Sequence, residues 1–255
     1  MNWPLGPRSR IYGETLKTTN CVAIHQPDFY PWLGFFDKWA RADVLVLLDD
    51  AQFPKSAPGG WTNRCSILHA GEWTWFTAPV QRNFHGVRTI REVDLVERGD
   101  WRRKLMQKFN HAYARAPMVS EARELLAADL LGDQPTLMEL NVSALRRLAV
   151  ALELDESKLI LSSTLNVTEK STQRLASIVQ KVNGDIYLCG GGASGYQDDQ
   201  VFAESGIRLV YQNFKHPRYE QTTTRDFVPG LSILDALSFV GVDGSKSLVS
   251  RARHK

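Results

Sequence analysis

The feature that most constrains the fold is a strand–turn–helix–strand pattern near the start of the chain. The apolar run "CVAI" (residues 21–24) stops at His25, and "WLGFFDKWAR" (residues 32–41) can form a helix. The next segment, "ADVLVLLDD" (residues 42–50), is an almost continuous apolar run that ends in two acids, as in a buried strand. A strand, a helix and a second strand in this order form a βαβ unit, which predicts a parallel sheet.

The rest of the chain continues to alternate between strand and helix patterns. The strings "TNRCSIL" and "EWTWFTAPV" predict a hairpin joined around "HAGE", and the alternating Trp73 and Trp75 indicate a half-buried strand. Asp100 is placed to cap the first helix of a long helical stretch. The predicted helices are 101–113, 120–131, 135–152 and 168–182, and the later strands are 158–164, "DIYLC" and "GIRLVYQNF". This pattern predicts an α/β fold with a mainly parallel sheet, flanking helices and a helical insertion.

The chain contains no internal repeat and no low-complexity linker, which favours one compact unit. We expect a flexible N-terminal arm at 1–19, a single α/β domain at 20–245 with the insertion at about 100–155, and a C-terminal tail at 246–255. The inserted helices should lie against the sheet or beside the cleft, because they contain no converging cluster of polar residues.

Charge and cysteine content argue against several classes of function. The 255 residues carry a formal net charge of +3 and no dense basic run, so we expect no nucleic-acid partner. No apolar run approaches the roughly 20 residues of a membrane helix, and residues 1–19 lack the apolar core of a secretory signal. Cys21, Cys65 and Cys189 are odd in number and widely separated, which favours a reducing, cytoplasmic location over a disulfide framework.

His25 lies where the first predicted strand ends and the chain turns. Ligands of parallel α/β folds bind at the carboxyl ends of strands, because side chains and helix N-termini converge there. At this position His25 can act as an acid, a base or a hydrogen-bond donor near neutral pH, with Gln26 and Asp28 beside it. The alternative is a structural role, in which the imidazole only binds backbone carbonyl groups of the loop.

Acidic and basic side chains follow the second predicted strand and therefore point to the same edge of the sheet. In "DDAQFPK", Asp49 and Asp50 can hold a magnesium ion, orient a base or bind a ribose, or they can form a solvated strand end. In "WTNR", Arg64 can bind a carboxylate or phosphate in bidentate fashion, with Asn63 next to it.

Two later segments also follow predicted strands. The loop in "CGGGASGY" lets backbone N–H groups approach an anion, although it matches neither common phosphate-loop pattern and a plain turn is the alternative. Cys189 is better explained as buried core than as a nucleophile. In "QNFKHPRYEQ", His216 can share a cleft with His25, and no third His or Cys stands at ligand spacing, so no metal site is expected.

In these segments the chain resembles the WbqC-like family, which is found in bacterial gene sets for O-antigens and natural products. The matching strings are "HQPDFYPWLGFFDKWARADVLVLLDDAQFPK", "WTNRCSI", "HAYARAP", "YLCGGGASGYQDD", "YQNFKHPRYEQ" and "LSILDALSFVG". The departures are a loop unusually rich in small residues and a serine, Ser238, in place of an apolar residue. The resemblance implies that the family pattern includes His25, Gln26, Pro27, Trp32, Gly34, Asp50, Gln52, Asn63, Arg64, Gly190, Tyr196, His216, Pro217, Tyr219 and Gln221.

The same opening is similar in layout to nucleotidylyltransferases and carboxylate-activating ligases, which begin with a strand, a proline loop and a Gly-His helix. Here the Gly-His position reads Gly34-Phe35, so the residue that would contact phosphates is missing. The likeness therefore implies a Rossmann-like or nucleotidyltransferase-like layout and argues against adenylylation by that mechanism.

The family setting and the strand-end residues favour a biosynthetic enzyme that transfers an acyl or aminoacyl group from an activated, thioester-type donor to a small amine. The alternatives are a magnesium-dependent nucleotidyl or phosphoryl transferase, and a non-catalytic binding or scaffold protein for a sugar or carrier-bound intermediate. We expect a small-molecule or carrier-protein-bound substrate and no cofactor, and the sequence indicates no particular oligomeric state.

His25, Asp50, Arg64 and His216 are expected to lie around one pocket, because each follows a predicted strand. The predicted catalytic residues are His25, His216 and Asp50. The predicted substrate-binding residues are Gln26, Asp28, Trp32, Gln52, Asn63, Arg64, Gly190, Gly191, Tyr196, Tyr219 and Gln221.

Overall fold

A five-stranded parallel sheet forms the centre of the protein. The computed structural model describes residues 19–54, 60–191 and 197–251. In chain order the helices and strands are β1 (Cys21–His25), α1 (Leu33–Arg41), β2 (Val44–Leu47), β3 (Arg64–His69), β4 (Glu72–Thr77), α2 (Trp101–Ala112), α3 (Val119–Leu130), α4 (Leu137–Ala151), β5 (Leu159–Leu161), α5 (Ser171–Lys181), β6 (Ile186–Cys189), α6 (Asp199–Glu204), β7 (Arg208–Tyr211) and α7 (Ile233–Arg251). The strand order β5-β2-β1-β6-β7 and the flanking helices confirm the predicted α/β fold.

The sheet reverses its winding direction at its middle strand. After β1 the chain moves outward to β2 and β5, and it then returns to place β6 and β7 on the other side of β1. This order is the one found in dinucleotide-binding folds, in which the carboxyl ends of the two strands at the reversal point border an open crevice. The ligand site is therefore expected at the ends of β1 and β6.

The two faces of the sheet are covered by different helices because side chains alternate along each strand. Ala23 and Leu45 face a core shared with α1, α7 and the helical insertion. Val22, Ile24 and Val46 face a second core shared with α5 and α6. The crevice between β1 and β6 therefore opens between two helical layers.

Helices α2, α3 and α4 form the insertion, and they extend the core on the α1 side of the sheet. Thr136 begins α4 with a capping box, in which its hydroxyl accepts from the Glu139 N–H and the Glu139 carboxylate accepts from the Thr136 N–H. The cap expected from Asp100 is not formed, since its side chain makes no bond to the start of α2. Its carboxylate pairs instead with Arg103 at 2.6 Å.

Three features of the chain differ from the sequence-based expectations. The strand expected at 158–164 ends at Leu161, because the Ser162 and Ser163 hydroxyls bind the carboxylate of Asp49 and the chain turns into a 3-10 helix. The short helix α6 and the long helix α7 were not predicted. Helix α7 runs through residues 246–251, which were expected to form a tail, and buries Leu248 and Val249.

Of the expected N-terminal arm, residues 1–18 lie outside the described part of the chain. Within the described segments, no helix combines the length and the apolar character needed to cross a membrane.

A buried carboxylate joins the hairpin, the insertion and the last helix. Asp235 on α7 accepts hydrogen bonds from Tyr113 Oη at 2.9 Å, Tyr219 Oη at 2.6 Å and Gln221 Nε2 at 2.8 Å. Tyr113 Oη also accepts from the Leu68 N–H of β3 at 3.1 Å. Burial raises the pKa of Asp235, while its three hydrogen-bond donors act in the opposite direction. This cluster holds the loop before α7 against the core.

Replacing Asp235 with Ala should destabilise the protein strongly. The change leaves three buried donors without an acceptor, and each unsatisfied buried group costs about 1–3 kcal/mol. We expect the free energy of unfolding to fall by roughly 3 kcal/mol or more in urea denaturation. Asp243→Ala, at an exposed site beyond the kink at Gly241, is the control and should change stability by less than about 0.5 kcal/mol. Equal effects of the two substitutions would contradict the role of this cluster.

Candidate functional site

A cavity of about 920 Å³ occupies the crevice at the carboxyl ends of β1 and β6. We call it the cationic cavity, because Lys38 from α1 and Arg174 from α5 both line it. The cavity is also lined by His25, Trp32, Gly34, Trp61, Ser171, Thr172, Gly190, Gly191 and Gln212. It lies at the place where the strand order predicts a ligand site, and its volume is typical of a small-molecule site.

A second cavity of about 670 Å³ adjoins the first. We call it the tryptophan cavity, since it is lined by Trp32, Trp61, Trp73 and Trp75, together with His25, Asp28 and His216. The ring centroids of Trp61 and Trp73 lie 5.3 and 5.4 Å from that of Trp75. Trp61 and Trp73 are 46% and 57% exposed. Exposed aromatic faces of this kind suit contact with sugars, rings or apolar groups.

His25 lines both cavities, and its hydrogen bonds determine its tautomer. Its Nδ1 lies 3.0 Å from the carbonyl oxygen of Gln26 and 3.6 Å from Asp28 Oδ2. A carbonyl oxygen can only accept, so Nδ1 carries the hydrogen and Nε2 carries the lone pair. The imidazole packs edge-on against Phe35, with ring centroids 5.0 Å apart. His25 is therefore oriented as a proton acceptor by its bond to the Gln26 carbonyl, and the Asp28 carboxyl group lies nearby.

Burial shifts the pKa values of this pair in opposite directions. It lowers the pKa of His25, and the nearby Lys38 charge lowers it further, while the bond to Gln26 opposes both. It raises the pKa of Asp28 to about 7, against the opposing influence of Lys38. His25 is thus neutral at neutral pH, and Asp28 gains its charge only near pH 7. Once Asp28 is charged, it stabilises a proton on His25.

His216 has the complementary tautomer on the opposite side of Trp32. The Gly230 N–H donates to His216 Nδ1 at 3.2 Å, so Nδ1 is an acceptor and Nε2 carries the hydrogen. The Trp32 ring lies 4.9 Å from the His216 ring. Burial lowers the pKa of His216, which keeps it neutral. The two histidines of the tryptophan cavity therefore offer one proton acceptor and one hydrogen-bond donor.

Trp32 separates the two cavities and depends on Gly34 for its position. A Cβ atom at Gly34 would lie only 2.3 Å from the indole ring, so any larger residue would displace it. The Gly34 carbonyl oxygen accepts from Gln212 Nε2 at 2.6 Å, and the same nitrogen donates to Asp37 Oδ2 at 2.8 Å. The start of α1 is thus tied to the chain after β7.

Lys38 is the least expected member of the site. Its side chain projects from α1 one turn after Gly34 and is only 4% exposed. Within the described residues its ammonium group makes no hydrogen bond and has no carboxylate at ion-pair distance. Burial lowers its pKa from 10.5 to about 8, although Cys189, Asp28 and Asp37 act to raise it. An added methyl group at Gly190 would lie 3.5 Å from Nζ, which places the ammonium beside this loop.

Asp49 and Asp50, which follow β2, line neither cavity. Asp50 pairs with Arg174 and accepts from the Ser162 hydroxyl. Asp49 is buried and accepts from the Ser163 N–H and hydroxyl at 3.0 and 2.7 Å. Within the described residues no group of three or more His, Cys, Asp or Glu side chains is placed to hold a metal ion.

Several predicted binding residues lie outside both cavities. Asn63 is buried and donates to the Ala78 carbonyl at 3.0 Å, which closes the base of the hairpin. Arg64 donates to the Gly60 carbonyl, and its guanidinium lies 4.1 Å from the centroid of the Trp75 ring. Arg64 thus supports a wall of the tryptophan cavity.

Gln26, Gln52, Tyr219 and Gln221 also line neither cavity. Gln26 Oε1 lies 3.5 Å from the Thr62 hydroxyl, which donates to it. Gln52 is exposed and forms a β-bridge with Thr89. Tyr219 and Gln221 bind Asp235, and Tyr196 lies outside the described residues.

Of the predicted site residues, the structure brings His25, Asp28, Trp32, Gly190, Gly191 and His216 to the two cavities. Cys189 is buried, and burial raises the pKa of its thiol, which disfavours a nucleophilic thiolate. Sequence reasoning missed Lys38, Trp61 and Arg174. A sequence signal existed only for Lys38, which stands four residues after Gly34 and therefore on the same helix face.

Comparison with known proteins agrees with the sequence pattern. The family model described as "WbqC-like protein family" matches residues 26–247. The chain belongs to the WbqC-like family. It is 31% identical over 223 residues to the uncharacterized protein Rv1507c of Mycobacterium tuberculosis, covering 87% of this chain and 94% of that protein. No solved structure matches this chain. The family resemblance is therefore confirmed.

Replacing Lys38 with Met should stabilise the protein at neutral pH. A lysine whose pKa is lowered on folding makes an unfavourable contribution that is fully present below about pH 8 and disappears as the pH rises towards 10.5. A shift from 10.5 to about 8 corresponds to about 3 kcal/mol. We expect Lys38→Met to raise the free energy of unfolding by about this amount at pH 7, and by much less at pH 10.

The measurement is chemical denaturation of both proteins at several pH values between 6 and 10. Lys181→Met, at an exposed position of α5, is the control and should show no such pH-dependent gain. A stability difference that grows with increasing pH would contradict the assigned environment of Lys38.

Proposed function

We propose that this WbqC-like protein is a biosynthetic transferase that moves an acyl or aminoacyl group from an activated, thioester-type donor to a small amine. One observation carries this proposal: His25 lines both cavities, with an unprotonated Nε2 on a neutral ring. A transferase has to bring two substrates to one proton acceptor. The paired cavities meet this requirement, with the donor in the cationic cavity and the amine acceptor in the tryptophan cavity.

In the proposed reaction, the amine nitrogen attacks the donor carbonyl carbon while His25 Nε2 takes a proton from the amine. The C–S bond then breaks, and the proton moves from His25 to the departing sulfur. The Asp28 carboxylate, 3.6 Å from His25 Nδ1, stabilises the transient positive charge on the imidazole electrostatically. The new amide bond and the free thiol account for every atom and proton of the two substrates.

The negative charge that develops on the carbonyl oxygen needs hydrogen-bond donors on the donor side. The backbone of Gly190 and Gly191 lines this side of the cavity, where small residues allow close approach. His216, through Nε2–H, supplies a donor on the acceptor side that can orient the amine substrate. The sequence suggested Arg64 or the glycine loop as the anion-binding element; the proposal uses the glycine loop, since Arg64 lies against the Trp75 ring.

The geometry favours this reaction over a magnesium-dependent transfer. That alternative assigned the metal to Asp49 and Asp50, but both carboxylates are engaged by Ser162, Ser163 and Arg174. A binding protein without activity is the second candidate, and the exposed tryptophans of the hairpin favour it. The two remaining candidates differ in turnover, since a binding protein would retain affinity for both substrates and form no product.

The direct test is a transfer assay with panels of acyl and aminoacyl thioesters and of small amines, including amino sugars. Thiol release that depends on the amine, with amide formation seen by mass spectrometry, is the expected result. Binding of an amine and a thioester without product would favour the binding protein. Activity that requires magnesium and a nucleotide would favour the phosphoryl-transfer alternative.

Substitution of His25 should separate a catalytic from a structural role. His25→Gln retains hydrogen bonding but cannot carry a proton, so the rate should fall about 10²–10⁴-fold. Its melting temperature should stay close to that of the wild type, because a strand-end histidine that is 25% exposed contributes little apolar burial. His85→Gln, at an exposed site, is the control. An active Gln variant would make His25 a structural residue.

The rate should rise with pH as Asp28 loses its proton. The pKa of Asp28 is raised to about 7, so its charge is largely absent at pH 5.5 and largely present at pH 8. The other titratable groups facing it are His25, which stays neutral, and Lys38, whose pKa is about 8. We therefore expect kcat/KM to increase roughly tenfold per pH unit below pH 7.

The matching variant is Asp28→Asn, which should lower the rate and remove this pH dependence between pH 5.5 and 7.5. The measurement is a pH–rate profile of both proteins in buffers of constant ionic strength. A wild-type rate that stays flat across this range would contradict the role given to Asp28.

A further inference from the structure

Two cationic side chains, Lys38 and Arg174, line the cationic cavity, and the proposed acyl transfer gives neither of them a role. Lys38 is 4% exposed and lines the cavity, yet within the described residues no hydrogen-bond acceptor satisfies its ammonium group. A buried charge without a partner is costly, so proteins pair such groups with a counter-ion or a ligand. The unpaired ammonium of Lys38 therefore indicates that an anionic ligand completes this part of the cavity.

The opposite wall of the cavity is built from the start of α5, an 11-residue helix. Ser171 and Thr172 line the cavity, and no side chain caps the helix at Lys170. The N–H groups of a first helical turn have no partner within their helix and carry partial positive charge. The start of α5 lines the same cavity as Lys38, and its partial positive charge favours an anion there.

Arg174 adds a second side-chain cation to this wall. Asp50 engages one terminal nitrogen of its guanidinium group and fixes its direction. Its Nε is buried and has no hydrogen-bond partner within the described part of the chain. Arg174 thus adds a guanidinium charge at the cavity wall, in a direction that Asp50 fixes.

We propose that the cationic cavity binds the phosphate or diphosphate group of a phosphorylated small molecule, between Lys38 of one helical layer and the start of α5 with Arg174 of the other. A planar carboxylate is satisfied by one guanidinium fork. A tetrahedral phosphate offers oxygens in several directions and matches donors that come from two layers. Gly190 and Gly191 add a lining without side chains, which leaves room for the bulky group.

The inference rests on the proposed function only in assigning this molecule to one of the two substrates. Binding itself requires no turnover, so the two ideas can fail separately. If phosphate binding is found without acyl transfer, the site assignment holds and the reaction is wrong. If transfer occurs with a donor that lacks phosphate and no phosphate binding is found, the site assignment is wrong.

The test is isothermal titration of the full chain in a phosphate-free buffer with inorganic phosphate, pyrophosphate, ADP and, as a carboxylate comparison, succinate. We expect pyrophosphate and ADP to bind more tightly than succinate. Lys38→Gln should weaken pyrophosphate binding about 10- to 100-fold, because it removes a charge-assisted hydrogen bond. Lys181→Gln removes the same charge at the exposed end of α5 and should leave the affinity unchanged.

A second measurement uses the wild-type protein and does not depend on whether the variant folds. Lysine acetylation is followed by peptide mass spectrometry with and without pyrophosphate. Pyrophosphate should protect Lys38 several-fold and leave Lys181 unprotected. Absence of pyrophosphate and ADP binding, equal loss of affinity in the two variants, equal binding of succinate, or no protection of Lys38 would each overturn the proposal.

Discussion

The reversal of the sheet at β1 is the constraint on which the rest of the structure depends. Because β2 and β6 lie on opposite sides of β1, the connecting helices are distributed over both faces of the sheet. The carboxyl ends of β1 and β6 therefore border a space that neither helical layer closes. His25 ends one of these strands and Gly190 follows the other, so the topology itself places them at the cavity.

Burial then assigns different chemical properties to the groups at this edge. The same desolvation that keeps His25 neutral also raises the pKa of Asp28 and lowers that of Lys38. An acid that ionises near pH 7, a neutral imidazole and a lysine that titrates near pH 8 result from one environment. Such shifted pKa values are concentrated at functional sites, although they reduce stability. The proposed anionic ligand would account for a buried lysine that has no hydrogen-bond partner among the described residues.

The structure brings part of the predicted site together at the two cavities and places its other described residues elsewhere. His25, Trp32 and Gly190 could be placed because each lies at a strand end or in the turn that follows, where local sequence determines position. Asp50 also follows a strand, whereas Arg64 begins β3. The Asp50 carboxylate pairs with Arg174, and the Arg64 guanidinium lies over the Trp75 ring. Arg174 could not be predicted, because it enters the cavity from a helix more than a hundred residues away in sequence.

The sequence by itself determined the βαβ start, the hairpin, the helical insertion and the family. Apolar periodicity and turn residues are local properties of the sequence. They can therefore be recognised without knowing the contacts to distant segments. Only the tertiary structure decided which polar residues line the cavities and which form hydrogen bonds within the protein. Tyr219 and Gln221 bind the buried Asp235, while Lys38 is left without a partner among the described residues. The physical reason is that hydrogen-bond partners and burial come from segments distant in sequence, and these determine whether a side chain is satisfied by the protein or remains free for a ligand.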